Sequence, residues 1–298
     1  MRASAKLKPA FLPLLHIDEL DVSVVSASSI QKEEHTDFYF LLDVSESMNI
    51  AASDADRDAL EHWTRIERKN EPCAFACHEG DGYRPKSAYQ VARDHGVRLR
   101  IDVVREASDK MIDKILAENA VPGTLKTNRI ATAGFSWDFQ KGKDPSTDAA
   151  ALKASIRNFT IANNHTRFWW GFSAFSSMLG SQGSGDTASS PRKIAILVTD
   201  GVKDEGFARW QLGPLDTNLC IALKNKGFAL AVMEIKYVAR PTEYFFKERV
   251  SSYYSSISPS LKACASPGLY FLASDADQAS AGLLSLTNAI LSGRHIMY

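Results

Sequence analysis

Five short apolar runs constrain this chain more than any other feature: FYFLL at 38–42, RIATAGFS at 129–136, IAILV at 194–198, FALAVMEI at 228–235 and LYFL at 269–272. Each has strand length and β-favouring content, and none alternates cleanly between apolar and polar positions. A strand that is apolar at successive positions is covered on both faces, which is the condition of a parallel sheet sandwiched between helices.

The segments between these runs carry the matching signal. Ile101, Val104, Ser108, Met111, Ile112 and Ile115 trace one stripe at the 3.6-residue period, with Arg, Glu, Asp and Lys between them. Helices are also predicted over 150–159, 219–226, 245–263 and 278–291. Strand and helix alternate, so the predicted class is α/β: an open, mostly parallel sheet with helices on both faces. Ligands in such sheets bind at the carboxyl ends of the strands, near a topological switch point. Three stretches interrupt the alternation. Residues 1–36 read as an N-terminal extension with a short β-like segment at 22–25. Residues 49–88 are polar and read as an insertion, and the Gly- and Ser-rich stretch 180–191 reads as a surface loop.

Charge narrows the partners. Lys plus Arg and Asp plus Glu each number 35, so the totals give no electrostatic argument for nucleic acid or an anionic membrane. No run approaches the roughly 20 apolar residues of a membrane-spanning helix. The four cysteines, Cys73, Cys77, Cys220 and Cys264, allow three pairings or four free thiols. The first two sit in Cys73-Ala74-Phe75-Ala76-Cys77-His78, one residue too long for haem attachment. Zinc would need two further ligands, for which His62 and His95 are loose candidates without a second close pair.

The chemistry concentrates where the first apolar run ends, in Asp43-Val44-Ser45-Glu46-Ser47-Met48. One carboxylate and two hydroxyls on a tight loop can aim three oxygens at one point above the strand end. Hard divalent cations take oxygen ligands in near-octahedral array and retain some water. Three oxygens leave that shell incomplete, so other loops must contribute. Run 194–198 leads into Thr199-Asp200-Gly201, which puts Asp200 at a second strand end with a glycine to turn the chain. Thr166 precedes an aromatic helix start, Phe168-Trp169-Trp170, and Ser173, Ser176 and Ser177 on the same element are its alternatives.

Together these positions resemble the metal-ion-dependent adhesion site of von Willebrand A domains. The resemblance spans roughly residues 36–292 and implies an A-type domain over 37–292, with Asp43, Ser45, Ser47, Thr166 and Asp200 as metal ligands. The ion it implies is a divalent cation, Mg²⁺ in the first instance, with Mn²⁺ or Ca²⁺ as alternatives. A protein partner's acidic side chain would complete the shell, with Glu46, Trp169 and Trp170 at the rim. Glu46 departs from the family pattern, which commonly has Gly between the serines. It either points to solvent or adds a carboxylate beside the ion.

The remaining motifs, C-x-F-A-C-H, Ala92 with Gly96-Val97-Arg98-Leu99-Arg100-Ile101-Asp102-Val103-Val104, V-T-D-G-V and Cys264-Ala265-Ser266, look like TadG-type proteins of bacterial tight-adherence (Flp) pilus assembly. That resemblance implies a periplasmic or envelope location, an N-terminal anchor preceding this segment or removed from it, and disulfides Cys73–Cys77 and Cys220–Cys264. It also leaves a purely structural pilus-assembly role open, with the metal incidental. Enzyme readings lack their parts. A phosphatase using Asp43 as nucleophile needs a second Asp where Ser45 stands. Gly171-Phe172-Ser173-Ala174-Phe175 lacks the closing glycine of a hydrolase elbow. Gly180, Gly183 and Gly185 follow no strand, as a nucleotide loop would require.

Overall fold

The computed structural model describes residues 2–7, 20–25, 34–68, 73, 86–123, 125–161, 165–205, 212–237, 239, 246–273 and 276–291. The chain divides into two compact units, Met1–Lys32 and Glu33–Tyr298. In the first, β1 (Arg2–Leu7) pairs antiparallel with β2 (Leu20–Val25), from Arg2 opposite Val25 to Leu7 opposite Leu20. The sequence signal at 22–25 thus belongs to a hairpin whose other strand, Arg-Ala-Ser-Ala-Lys-Leu, has too little apolar content to announce itself.

The second unit is built on a six-stranded sheet. Its strands are β3 (Glu34–Asp43), β4 (Lys126–Phe135), β5 (Phe139–Lys141), β6 (Arg192–Thr199), β9 (Ala229–Ile235) and β10 (Tyr270–Ala273), in spatial order β10-β9-β6-β3-β4-β5. All neighbours are parallel except the short edge strand β5, which runs antiparallel to β4. The expected open α/β sheet is therefore present, and all five apolar runs lie in or across its parallel strands. β7 (Val202–Asp204) and β8 (Leu212–Pro214) form a separate antiparallel pair just after β6.

Alternate residues of each parallel strand enter two different cores. Phe38, Phe40 and Leu42 of β3, with Ile194, Ile196 and Val198 of β6, face one cluster. There they pack against α1 (Asp54–Glu67), α2 (Ala88–Asp94), α3 (Arg100–Ala117), α4 (Ala149–Arg157) and α8 (Ala276–Leu291). Tyr39 and Leu41, with Ala195 and Leu197, face the other cluster. That one is closed by α5 (Phe168–Leu179), α6 (Thr217–Asn225) and α7 (Tyr254–Cys264). Two apolar faces explain the unalternated runs.

Several elements differ from the sequence reading, two of them in its helices. The polar stretch 49–88 contains α1, a 14-residue helix whose N-cap Ser53 accepts a hydrogen bond from Asp56 N at 3.1 Å. Only Leu60 and Thr64 of it are buried, so its apolar stripe is too thin to stand out from the polar background. The helix expected over 245–263 is broken: a π-turn (Phe246–Val250) precedes α7. Of the two expected disulfides, Cys220–Cys264 is present and joins α6 to α7, with the Cα atoms 5.1 Å apart. For the expected Cys73–Cys77 pair, Cys77 lies outside the described residues. No helix among the described residues is long and apolar enough to cross a membrane.

Candidate metal centre

The chain leaves β3 to reach β4 on one side, and leaves β6 to reach β9 on the other. The crevice above the carboxyl ends of β3 and β6 is thus the switch point of the sheet. Asp43 is the last residue of β3 and Asp200 follows the last residue of β6, so the sheet topology brings both carboxylates to this crevice.

The Asp43 loop is tightly wound. Asp43 Oδ1 accepts from the backbone N of Ser45 at 3.0 Å, and Val44 N donates to Phe135 O at 2.9 Å, tying the loop to β4. Residues Glu46–Asn49 then form one 3₁₀ turn, which begins with Met48 N donating to Ser45 O at 3.0 Å. The turn brings the two hydroxyls together, with Ser45 Oγ 3.2 Å from Ser47 Oγ. Asp200 is fixed by an equivalent turn, its Oδ1 accepting from Val202 N at 3.1 Å. Gly201 makes that turn possible. It has φ 76°, and a Cβ there would lie 2.6 Å from Leu261 Cδ1 of α7.

A residue that sequence reasoning passed over bridges the crevice. Thr199 Oγ1 donates to Asp43 Oδ2 at 2.6 Å and accepts from Gly201 N at 3.0 Å. The clue was local: Thr199 is the polar residue that ends an apolar strand immediately before Asp200. A second overlooked residue is Arg100, the first residue of α3. Its Nη1 lies 3.4 Å from Asp200 Oδ2 and 3.5 Å from Ser47 O. No local signal could have found it, because it meets Asp200 across a hundred residues of chain.

Thr166 is buried and sits between two strand ends. Its carbonyl accepts from Asp204 N at 3.2 Å, and the next residue, Arg167, donates its N to Ser136 O at 3.0 Å. Beside it, His165 Nδ1 is 2.9 Å from Asp204 Oδ1, and the Arg167 guanidinium stacks on Trp137 at 4.1 Å. The hydroxyl alternatives to Thr166 lie elsewhere. Ser173, Ser176 and Ser177 line a groove of about 360 Å³ between α5 and α6, where Ser176 Oγ accepts from Lys226 Nζ at 2.7 Å. Phe168 and Phe172 are core residues, whereas Trp169 and Trp170 are 48% and 44% exposed. Trp169 also lines the α5–α6 groove, so that ring is turned at least partly toward α6.

Glu46 is half-buried and opens the 3₁₀ turn. Such a turn has right-handed backbone angles, so a glycine at this position is not required by conformation. His95, considered above for zinc, stacks on Trp63 at 3.8 Å between centroids and hydrogen-bonds Glu67.

The donor set suits a hard cation. Asp43, Ser45, Thr199 and Asp200 are each no more than 1% exposed, and the ligating atoms available are carboxylate and hydroxyl oxygens. Among the described residues no three His, Cys, Asp or Glu side chains gather into a cluster that could hold a metal, and Cys77 and His78 lie outside those residues. Burial, and next the charge of Asp200, push Asp43 up to about 7, while hydrogen bonds from Ser45 and Thr199 pull it down. Asp200 is likewise raised by burial, with Arg100 and Ser47 opposing the shift. With both ionised, the two buried carboxylates would carry more negative charge than one guanidinium neutralises. A divalent cation among these oxygens would remove that excess.

No known family profile matches the chain, and no curated protein matches it in sequence. Solved structures do match in shape. The vWF domain of the type V pili tip protein Mfa5 from Porphyromonas gingivalis is 12% identical with a TM-score of 0.51, over 89% of this chain and 97% of that one. The conserved hypothetical protein BatB from Bacteroides thetaiotaomicron is 12% identical with a TM-score of 0.50, over 87% of this chain and 99% of that one. At this identity the likeness speaks to fold alone, and the fold of this chain is of the von Willebrand A type.

Proposed function

We propose that this chain is a divalent-cation-dependent protein-binding module, acting in the bacterial envelope in the assembly or adhesion of a tight-adherence pilus. The observation that carries this reading is the convergence of Asp43, Ser45, Ser47 and Asp200 at one switch-point crevice, with Thr166 on an adjoining loop. These five residues would hold Mg²⁺, or Mn²⁺ or Ca²⁺ in its place. The bound ion supplies an electrophilic position that an acidic side chain of a protein partner can take. The chain's own part is to keep the oxygens aimed. Thr199 and the Ser45 amide orient Asp43, the Gly201 turn orients Asp200, and the 3₁₀ turn holds both serines on one side.

Glu46, Trp169 and Trp170 are the proposed rim, the two rings being exposed apolar surface that a partner can cover. The Cys220–Cys264 disulfide supports an oxidising compartment such as the periplasm. The Mfa5 domain belongs to a pilus tip protein, which favours a pilus role for this chain by analogy. A binding module, not an enzyme, is the reading that a crevice with a hydroxyl at position 45 supports.

The test is Mn²⁺ or Mg²⁺ titration calorimetry of the chelator-treated protein and of Asp43→Ala, with folding checked by circular dichroism. The wild type should bind one ion and the variant none. Equal binding by both would refute the assignment. Partner capture from envelope extracts should also be lost when chelator is added.

A further inference from the structure

Arg100 breaks a local rule. It is the first residue of α3, where the aligned peptide dipoles carry partial positive charge and disfavour a cation. It is also 4% exposed, and a buried guanidinium is held only where something nearby compensates it. The crevice supplies compensation: Asp200 Oδ2 at 3.4 Å and the Ser47 carbonyl at 3.5 Å, with the Tyr237 ring centroid 5.2 Å from the guanidinium carbon.

The backbone pins this arrangement. Arg100 N donates to Ile50 O and Ala52 N donates to Arg98 O, both at 2.9 Å, around a bridge between Ala51 and Leu99. The start of α3 is therefore stapled to the exit of the Asp43 loop. Arg100 cannot drift away from the metal ligands without opening that staple, and its burial keeps it from reaching a partner's side chain.

We infer that Arg100 is a built-in counter-ion of the crevice, which holds the site folded without metal and lowers its affinity for divalent cations by competing for Asp200. This rests on the metal reading of the site and adds a specificity-determining residue to it. With the ion absent, the guanidinium partly neutralises the two carboxylates. With the ion present, the like-charged guanidinium opposes it. The site should then load only at high divalent concentration, or when a partner's carboxylate adds further negative charge.

The experiment compares chelator-treated wild type with Arg100→Gln and Arg100→Lys, using Mn²⁺ as the probe in calorimetry and in thermal melts. Removing a positive charge this close to the ligands should tighten Mn²⁺ binding by on the order of tenfold or more. Arg100→Lys, which keeps the charge, should stay within about threefold of wild type. Arg100→Gln should melt lower than wild type in chelator and regain the loss with Mn²⁺.

Equal or weaker Mn²⁺ binding by folded Arg100→Gln would overturn the inference and leave the metal reading standing. No heat in any of the proteins would instead overturn the metal reading, and the competition with it. A metal-free readout decides the counter-ion role separately, and serves if Arg100→Gln unfolds on its own. Asp200→Asn should destabilise the wild type in chelator but restore stability to Arg100→Gln. Additive losses in that cycle would mean that the two side chains do not act as a pair.

Discussion

Breaking the Cys220–Cys264 link should cost a large share of the stability of the second unit. The bond closes a loop of 44 residues, for which chain-entropy reasoning gives about 13 cal/mol/K, or about 4 kcal/mol at 25 °C. Both cysteines are fully buried between α6 and α7, so the clean perturbation is the double variant Cys220→Ala/Cys264→Ala. Serines would bury two hydroxyls without assured partners. Urea unfolding of oxidised protein, reduced protein and the double variant should place the last two about 3–5 kcal/mol below the first. The effect should extend to the crevice. Leu261 and Ile257 of α7, the helix that the disulfide anchors, pack on Gly201 beside Asp200. Weaker Mn²⁺ binding should therefore accompany reduction. A loss below about 1 kcal/mol, or free thiols at both positions in protein made under oxidising conditions, would refute this account.

Three further outcomes are expected. Asp43 has a folded-state pKa raised to about 7, so the native state binds more protons than the unfolded chain between about pH 4 and 7. In chelator, stability should fall as pH rises through that window, and Asp43→Asn should flatten the fall; a variant profile parallel to wild type in urea midpoints would contradict it. Gly201→Ala should destabilise by about 2–4 kcal/mol, because a left-handed backbone and a Cβ pressed on Leu261 act together; a urea-unfolding loss under about 1 kcal/mol would count against this. If the Glu46 carboxylate caps the ion, Glu46→Gly should bind acetate or an acidic peptide about five- to thirtyfold more tightly with Mg²⁺ present. Equal affinities of wild type and variant, each with metal and with chelator, would assign Glu46 to solvent.

Much of the fold was legible because the parallel strands are apolar at successive positions. A strand such as Ile194-Ala195-Ile196-Leu197-Val198 feeds two cores at once, and few other arrangements would bury it. The elements missed had weak or conflicting local signals. β5 is three residues long on the sheet edge, and α1 buries only two side chains within a charged sequence. The break between the π-turn and α7 falls in Ser251-Ser252-Tyr253, which carries neither Gly nor Pro to announce it. The Cys220–Cys264 pairing was read from resemblance, since four cysteines alone leave three pairings open.

The candidate site divides along the same line. Asp43, Ser45 and Ser47 share one loop and Asp200 directly follows a recognisable strand, so each had a local context that a sequence can display. Arg100 had none, and its local context even argued against a buried role: a long cationic side chain at a helix start belongs, by propensity, in solvent. A residue that contradicts its local rules yet is held by a backbone staple and a buried carboxylate is where tertiary demands have overridden local ones. The two acids at the switch point and the guanidinium opposite them thus form one electrostatic unit. On the proposed metal reading, the charge of that unit, more than the identity of any single ligand, would set how strongly the crevice takes up a cation.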